Sequence, residues 1–428
     1  MAAAVLNGKL PSEITLHVLS LLDTKGLRTL SMCSKAFRRE AEPILFRMIR
    51  MPTTLRNPRA VLLFDPVAFM KRISPFVRHA SLITSEYLST TDTITYWRIS
   101  TSLLSHLPHL LSLLVHFTPP NTTIPTVDGI DSAISLLVKG FFTYIAKTCS
   151  FSDNLRHLSF KLSPTTSHDD QHSRENGGIT TNQPKANLQF LQSMLNLAIS
   201  APPDFAIFPS LTEANINDYR YHTIHTVDPL DRVSLVWIVA SSASSIKRLT
   251  IWQLVHGDMR TRDPFESYVL PKVKQLRINL NLMVCEDGKY IETLKTALPN
   301  LEELEFYVPI ALWALVNNDG KTTRLFNQVA GITSLKRARM PWFGSSAEKH
   351  EHEFMELEDF KVEVEGLIMR AELENMEQMV FVTNQLNSFD QTTFNAIACE
   401  IEGDGAYRRK VFWGEVFSAE RYDMDMGK

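Results

Sequence analysis

One spacing recurs nine times in this chain and limits its fold more than any other feature: an apolar residue, two others, a second apolar residue, one other, and a third apolar residue. The copies begin at Val77, Leu110, Leu155, Leu211, Ile246, Val273, Leu301, Leu335 and Met376. The second and third apolar positions are two apart, the period of a strand's inward face, and the first sits in the turn leading into it. Helical spacing fills the intervals at 130–147, 187–199, 232–242, 290–298 and 325–330. This alternation predicts an α/β fold, an irregular solenoid with parallel strands on the concave side and helices on the convex side. Proline turns such as Leu107-Pro108-His109-Leu110 and Leu298-Pro299-Asn300-Leu301 stop a helix and fix where the next strand begins. A generic α/β domain whose strands share only this common start is the competing reading.

The repeat region is expected over 76–385, after a connection at 51–75 and before a C-terminal cap at 386–428. Within it, 163–187 is polar, carries Gly177-Gly178 and reads as an inserted loop. From Glu348 to Glu374 acids dominate, with Phe354, Leu357, Phe360, Val364, Leu367 and Ile368 at helical spacing, which predicts an amphipathic helix with a charged outer face.

The first fifty residues follow a different logic. Ser12 can cap a helix carrying Ile14, Val18, Leu19 and Leu22 on one face, widened by Leu16 and Leu21. Asp23, Thr24 and Gly26 break that pattern. A second helix would hold Leu27 and Leu30, and Ser34 can cap a third with Phe37 and Ala41, stopped or kinked near Pro43. So short a helical segment does not bury all this apolar surface alone, which implies a partner chain or the following domain.

Leu10-Pro11, Glu13-Ile14, the Leu19 to Leu22 run, Leu27, Leu30, Cys33-Ser34-Lys35, Phe37 and Pro43-Ile44-Leu45 together resemble an F-box. Phe37 stands where that family more often has tryptophan and Cys33 where it more often has valine. The resemblance implies a Skp-family adaptor as partner, bound through Leu10, Pro11, Ile14, Val18, Leu19, Leu22, Leu30 and Phe37, and through it cullin and RING subunits. The repeats resemble the degenerate leucine-rich repeats found behind F-boxes in fungal proteins. The implied role is the substrate-recognition adaptor of a Skp–cullin–F-box ubiquitin ligase, a non-catalytic subunit needing no cofactor. The alternative is a leucine-rich-repeat interaction scaffold without a ubiquitin role, its first fifty residues acting as a cap.

Composition bounds the remaining classes. A net charge of -3 over 428 residues gives no global reason to expect a nucleic-acid partner, and no apolar run is long enough to suggest a membrane span. Cys33, Cys149, Cys285 and Cys399 lie far apart without a paired motif, which fits reduced thiols in the cytosol or nucleus. His168, Asp169, Asp170 and His172 carry metal-ligand chemistry, but in the segment least suited to preorganise it. His350-Glu351-His352-Glu353 lacks the histidine spacing that puts two imidazoles on one helix face. No phosphate-cradling glycine loop or nucleophile elbow occurs, so no catalytic residue is expected. Binding is the better expectation. Outward residues of the strands, Lys161, Trp252, Arg277, Asn279, Glu305 and Tyr307, are the candidates for contact with an unknown substrate protein, because aromatics and arginine anchor interfaces.

Overall fold

The structure, a computed structural model, describes residues 17–51, 65–84, 90–118, 130–162, 183–200, 206–218, 236–253, 265, 268–279, 289–307, 321–342, 356–371, 373–383, 395–403 and 409–418. The chain divides into two compact units, residues 1–126 with 133–211, and residues 127–132 with 212–428.

The first unit begins with helices. Residues 17–20 are helical, followed by α1 (Thr24–Cys33) and α2 (Lys35–Leu45). Asp23 caps α1 by accepting from Gly26 N at 2.7 Å, and Ser34 caps α2 by accepting from Phe37 N at 3.1 Å. The helix expected to be stopped or kinked near Pro43 ends two residues beyond it, at Leu45. Pro43 lies inside α2, in its last turn, where a missing N–H removes a single bond. Four parallel strands follow in sequence order: β1 (Met48–Arg50), β2 (His79–Ile83), β3 (Ser112–Phe117) and β4 (His157–Leu162). Parallel neighbours need a crossover between them, and α3 (Pro66–Ile73), α4 (Thr90–Leu104) and α5 (Ile130–Thr148) are the helices in those intervals. After β4 comes α6 (Gln183–Ser200). It starts within the stretch expected to be a loop, because Pro184 fits a helix's first turn. The rest of that insertion, with its histidines and aspartates, lies outside the described residues.

The second unit carries β5 (Glu213–Asp218), β6 (Arg248–Gln253), β7 (Gln275–Asn279), β8 (Glu303–Tyr307), β9 (Arg337–Pro341) and β10 (Gln378–Thr383), each parallel to the next. Between them in sequence stand α7 (Trp237–Ala240), α8 (Lys289–Ala297), α9 (Lys321–Ala330) and α10 (Leu357–Arg370). Two antiparallel strands, β11 (Asn395–Glu402) and β12 (Lys410–Ser418), close the sheet beyond β10. Both units therefore combine α and β structure, with a mostly parallel, sequentially ordered sheet of the solenoid kind.

Every apolar residue of the nine copies is buried, and each copy delivers the strand expected of it. Register makes the spacing physical. Ala214, Leu249, Leu276, Leu304, Ala338 and Met379 stand side by side across six strands, and Ile216, Ile251, Ile278 and Phe306 form the row beyond them. In the first unit Ala80, Leu113 and Leu158 make the matching row. One carbonyl per repeat locks this alignment. That of Lys274 accepts from both Glu302 N and Glu303 N at 2.8 Å, and those of Arg78, Leu111, Lys247, Glu302 and Lys336 do the same one repeat on. A slip of one residue would turn every inward side chain outward, so the buried rows specify the register.

Candidate interaction surfaces

The capped helices α1 and α2 set which apolar groups of the N-terminal module face inward. Leu19, Leu27 and Ala41 form its buried centre, and Leu22, Leu30, Ile44 and Leu45 pack against it half-buried. Phe37 is buried as well. Leu19, Leu22, Leu30 and Phe37, expected to contact an adaptor, thus help hold the helices together. Val18 remains 41% exposed, while Leu10, Pro11 and Ile14 lie outside the described residues. Among the described residues of the module, Leu21, 74% exposed, and Met32, 73% exposed, are also open apolar surface. The sequence places Leu22 on the apolar face and Leu21 only at its margin, which does not reveal how far Leu21 turns outward. Burying such a side chain against a partner is worth about 1.5–3 kcal/mol.

The open sheet face of the second unit is a cross-strand lattice of opposite charges. Glu302 lies between Lys274 and Lys336, at 2.5 and 3.4 Å, and Glu303 meets Gln275 at 2.8 Å and Arg337 at 3.4 Å. Arg248 pairs with Glu213 at 3.5 Å and Arg277 with Glu305 at 3.2 Å. The hydrogen bond from Lys274 holds the Glu302 carboxyl below its ordinary range. These pairs are solvent-facing, so each one's energy is small.

Four of the residues expected to bind substrate come together there. Tyr307 Oη donates to Glu305 Oε2 at 2.6 Å, Arg277 holds the other carboxylate oxygen, Oε1, and the Trp252 and Tyr307 rings are 6.1 Å apart. Arg339, which sequence reasoning passed over, places its guanidinium 5.6 Å from the Tyr307 ring centroid. It occupies the same strand offset as Glu305 and Arg277, the signal that could have found it. Burial first, and then the bond to Glu305, raise the Tyr307 hydroxyl far above its ordinary pKa, so it stays a donor. Trp252 and Tyr307 are nonetheless buried, at 7% and 6% exposure, rather than open. Arg277, with its side chain 54% exposed, is the accessible member. Asn279 ends β7 in register with Tyr307, and Lys161 is on β4 of the first unit.

In the second unit Trp342, Phe360, Phe381 and Trp413 form a chain of ring contacts. Trp342 is fully buried between Phe360 and Phe381, and Trp413 Nε1 donates to Glu365 Oε1 at 2.6 Å. Phe412, on the other face of β12, is 48% exposed.

Metal-ligand and thiol chemistry can be placed only among the described residues. No group of three or more histidine, cysteine or acidic side chains is placed to hold a metal there, and His350 to Glu353 lie outside them. Burial pushes the Cys149 thiol up to about 11 and the Cys399 thiol up to about 12, the opposite of an activated nucleophile. No helix among the described residues is long and apolar enough to cross a membrane.

Residues 8–41 match the F-box domain family, so the helical module is an F-box domain. That domain implies a Skp-binding adaptor subunit of Skp–cullin–F-box ubiquitin ligases, a class that is typically non-catalytic. Compared with curated proteins, the chain has no significant match.

Proposed function

We propose that this protein is a substrate-recognition adaptor: the F-box holds a Skp-family protein, and through it cullin and RING subunits, while the repeats hold the protein to be ubiquitinated. The F-box at residues 8–41 carries the reading. Its exposed Val18, Leu21 and Met32 supply apolar surface that the module's own core leaves unused. The mechanism is positional. Holding a substrate beside a conjugating enzyme raises the effective concentration of its lysines, and no bond is made or broken by this chain. The resemblance of the repeats to leucine-rich units belongs to this reading, as does a place in the cytosol or nucleus, where such ligases work.

Affinity purification under proteasome inhibition tests it, comparing the intact chain with one lacking residues 8–41. The intact chain is expected to retain Skp, cullin and RING subunits. The truncated chain is expected to lose them while keeping, in greater amount, the proteins bound to its repeats. If neither chain retains a Skp-family adaptor, the adaptor reading fails.

A further inference from the structure

The two units treat charge on their open sheet faces in opposite ways. In the second, acids are interleaved among the bases, as Glu302 is between Lys274 and Lys336. In the first, the rim where the strands begin carries Arg47, Arg78, Leu111 and Arg156, aligned by the carbonyls of Arg47, Arg78 and Leu111 that each accept from the next strand. The next row is Met48, His79, Ser112 and His157, and the row after it Arg50, Ser81, Leu114 and Ser159. The last row is Ile83, His116 and Lys161. No acidic residue occupies any of these positions.

Apolar groups are set among these bases. Met48 is 70% exposed, and Leu111 and Leu114 are 37% and 36% exposed. Arg47 and Arg50 are exposed, and Arg78 has its guanidinium fixed by donating Nη1 to the Pro75 and Val77 carbonyls at 2.8 and 3.1 Å. His79 feels the excess: its pKa is lowered first by burial, then by Arg47, His157 and Arg78. A ligand of opposite charge relieves that repulsion, which selects an acidic partner. Nucleic acid is the poorer match. Single strands are held by aromatic side chains that stack on bases, and the rows named contain none. Exposed aliphatic residues beside arginines fit a polypeptide that alternates carboxylates with apolar side chains.

We propose that the open sheet face of the first unit docks an acidic, aliphatic segment of a partner protein, its carboxylates on Arg47, Arg50 and Arg78 and its apolar side chains on Met48, Leu111 and Leu114. The proposal rests on the reading of the repeats as the partner-holding part, and it names the chemistry of what they hold.

The test uses the full chain purified with a Skp-family adaptor, and a fluorescent synthetic peptide alternating glutamate and leucine. Anisotropy is expected to show binding that weakens with salt and is lost when glutamine replaces glutamate. Arg47→Glu with Arg50→Glu is expected to weaken it by about tenfold or more, while Arg337→Glu, the same reversal on the second unit, leaves it within about twofold. Equal binding of the glutamine peptide, indifference to the double reversal, or binding of a single-stranded oligonucleotide in place of the peptide would each overturn the proposal. Adaptor retention is read in the same samples. Peptide binding without the adaptor sinks the ligase reading and leaves this one standing; adaptor retention without peptide binding does the reverse.

Discussion

The α-carbon of Gly140, in α5, lies so close to the Met194 backbone in α6 that a β-carbon there would stand 2.6 Å from the Met194 carbonyl oxygen. Alanine would gain about 1 kcal/mol of helix propensity over glycine. Against this, overpacking costs about 1–3 kcal/mol, and the obstructing atom is backbone that cannot rotate aside. Gly140→Ala is therefore expected to lower the melting temperature of the first unit, followed by circular dichroism. An unchanged or raised melting temperature would show that the two helices part freely.

Arg409 should be among the costlier side chains to remove. It is buried, and its guanidinium donates to the carbonyls of Ile368, Ala371 and Leu373, where α10 ends. A positive charge is favoured at a helix C-terminus. Arg409→Met keeps much of the apolar bulk but leaves buried carbonyls without donors, an expected loss of about 2–4 kcal/mol by chemical denaturation. A loss under about 0.5 kcal/mol would mean that water replaces the guanidinium.

Thiol reactivity separates the described cysteines. Cys33 is exposed, whereas Cys149 and Cys399 are buried with thiols raised to about 11 and about 12. At neutral pH iodoacetamide is expected to modify Cys33 in the folded protein well before either of the others, as read by peptide mass spectrometry. Early modification of Cys149 would contradict its burial beneath Thr101 and Thr148.

His79 gives stability a pH dependence of definite sign. Its folded pKa lies below the unfolded value of 6.5, so near and below that pH the unfolded chain binds more protons. Stability is then expected to fall as pH drops through 6.5 toward the folded pKa, and the fall should be smaller in His79→Gln. Arg47, Arg78 and His157 cause part of the shift, so a bound acidic peptide should reduce the effect further. Identical pH profiles for the variant and the parent would remove His79 from this account.

The strands were legible because each copy of the repeat states both its turn and its inward face, and burial at Val77, Leu304 or Phe381 leaves the backbone no second register. Helix ends were less so. The start of α6 at Gln183 hides in a polar run, although Pro43 does mark the end of α2 to within two residues. The surface was least legible. Period-two spacing puts Trp252 and Tyr307 on the outward side of their strands, but it does not show that both are nearly buried. Helical spacing puts Leu19 on the apolar face and Leu21 at its margin, but it does not show that Leu21, in the turn after the helix, is 74% exposed. Those differences depend on neighbours far away in sequence.

Adaptor binding by the N-terminal helices is the central claim. Because Leu19 belongs to the module's core, the informative variant is Val18→Asp with Leu21→Asp, which changes the surface and spares the interior. Calorimetric titration of the purified chain with a purified Skp-family adaptor is expected to give a stable complex. The double variant should weaken it by more than about a hundredfold, the least that two apolar anchors are worth, at an unchanged melting temperature. No heat of binding from the intact chain, or equal affinity from the variant, would contradict the central claim.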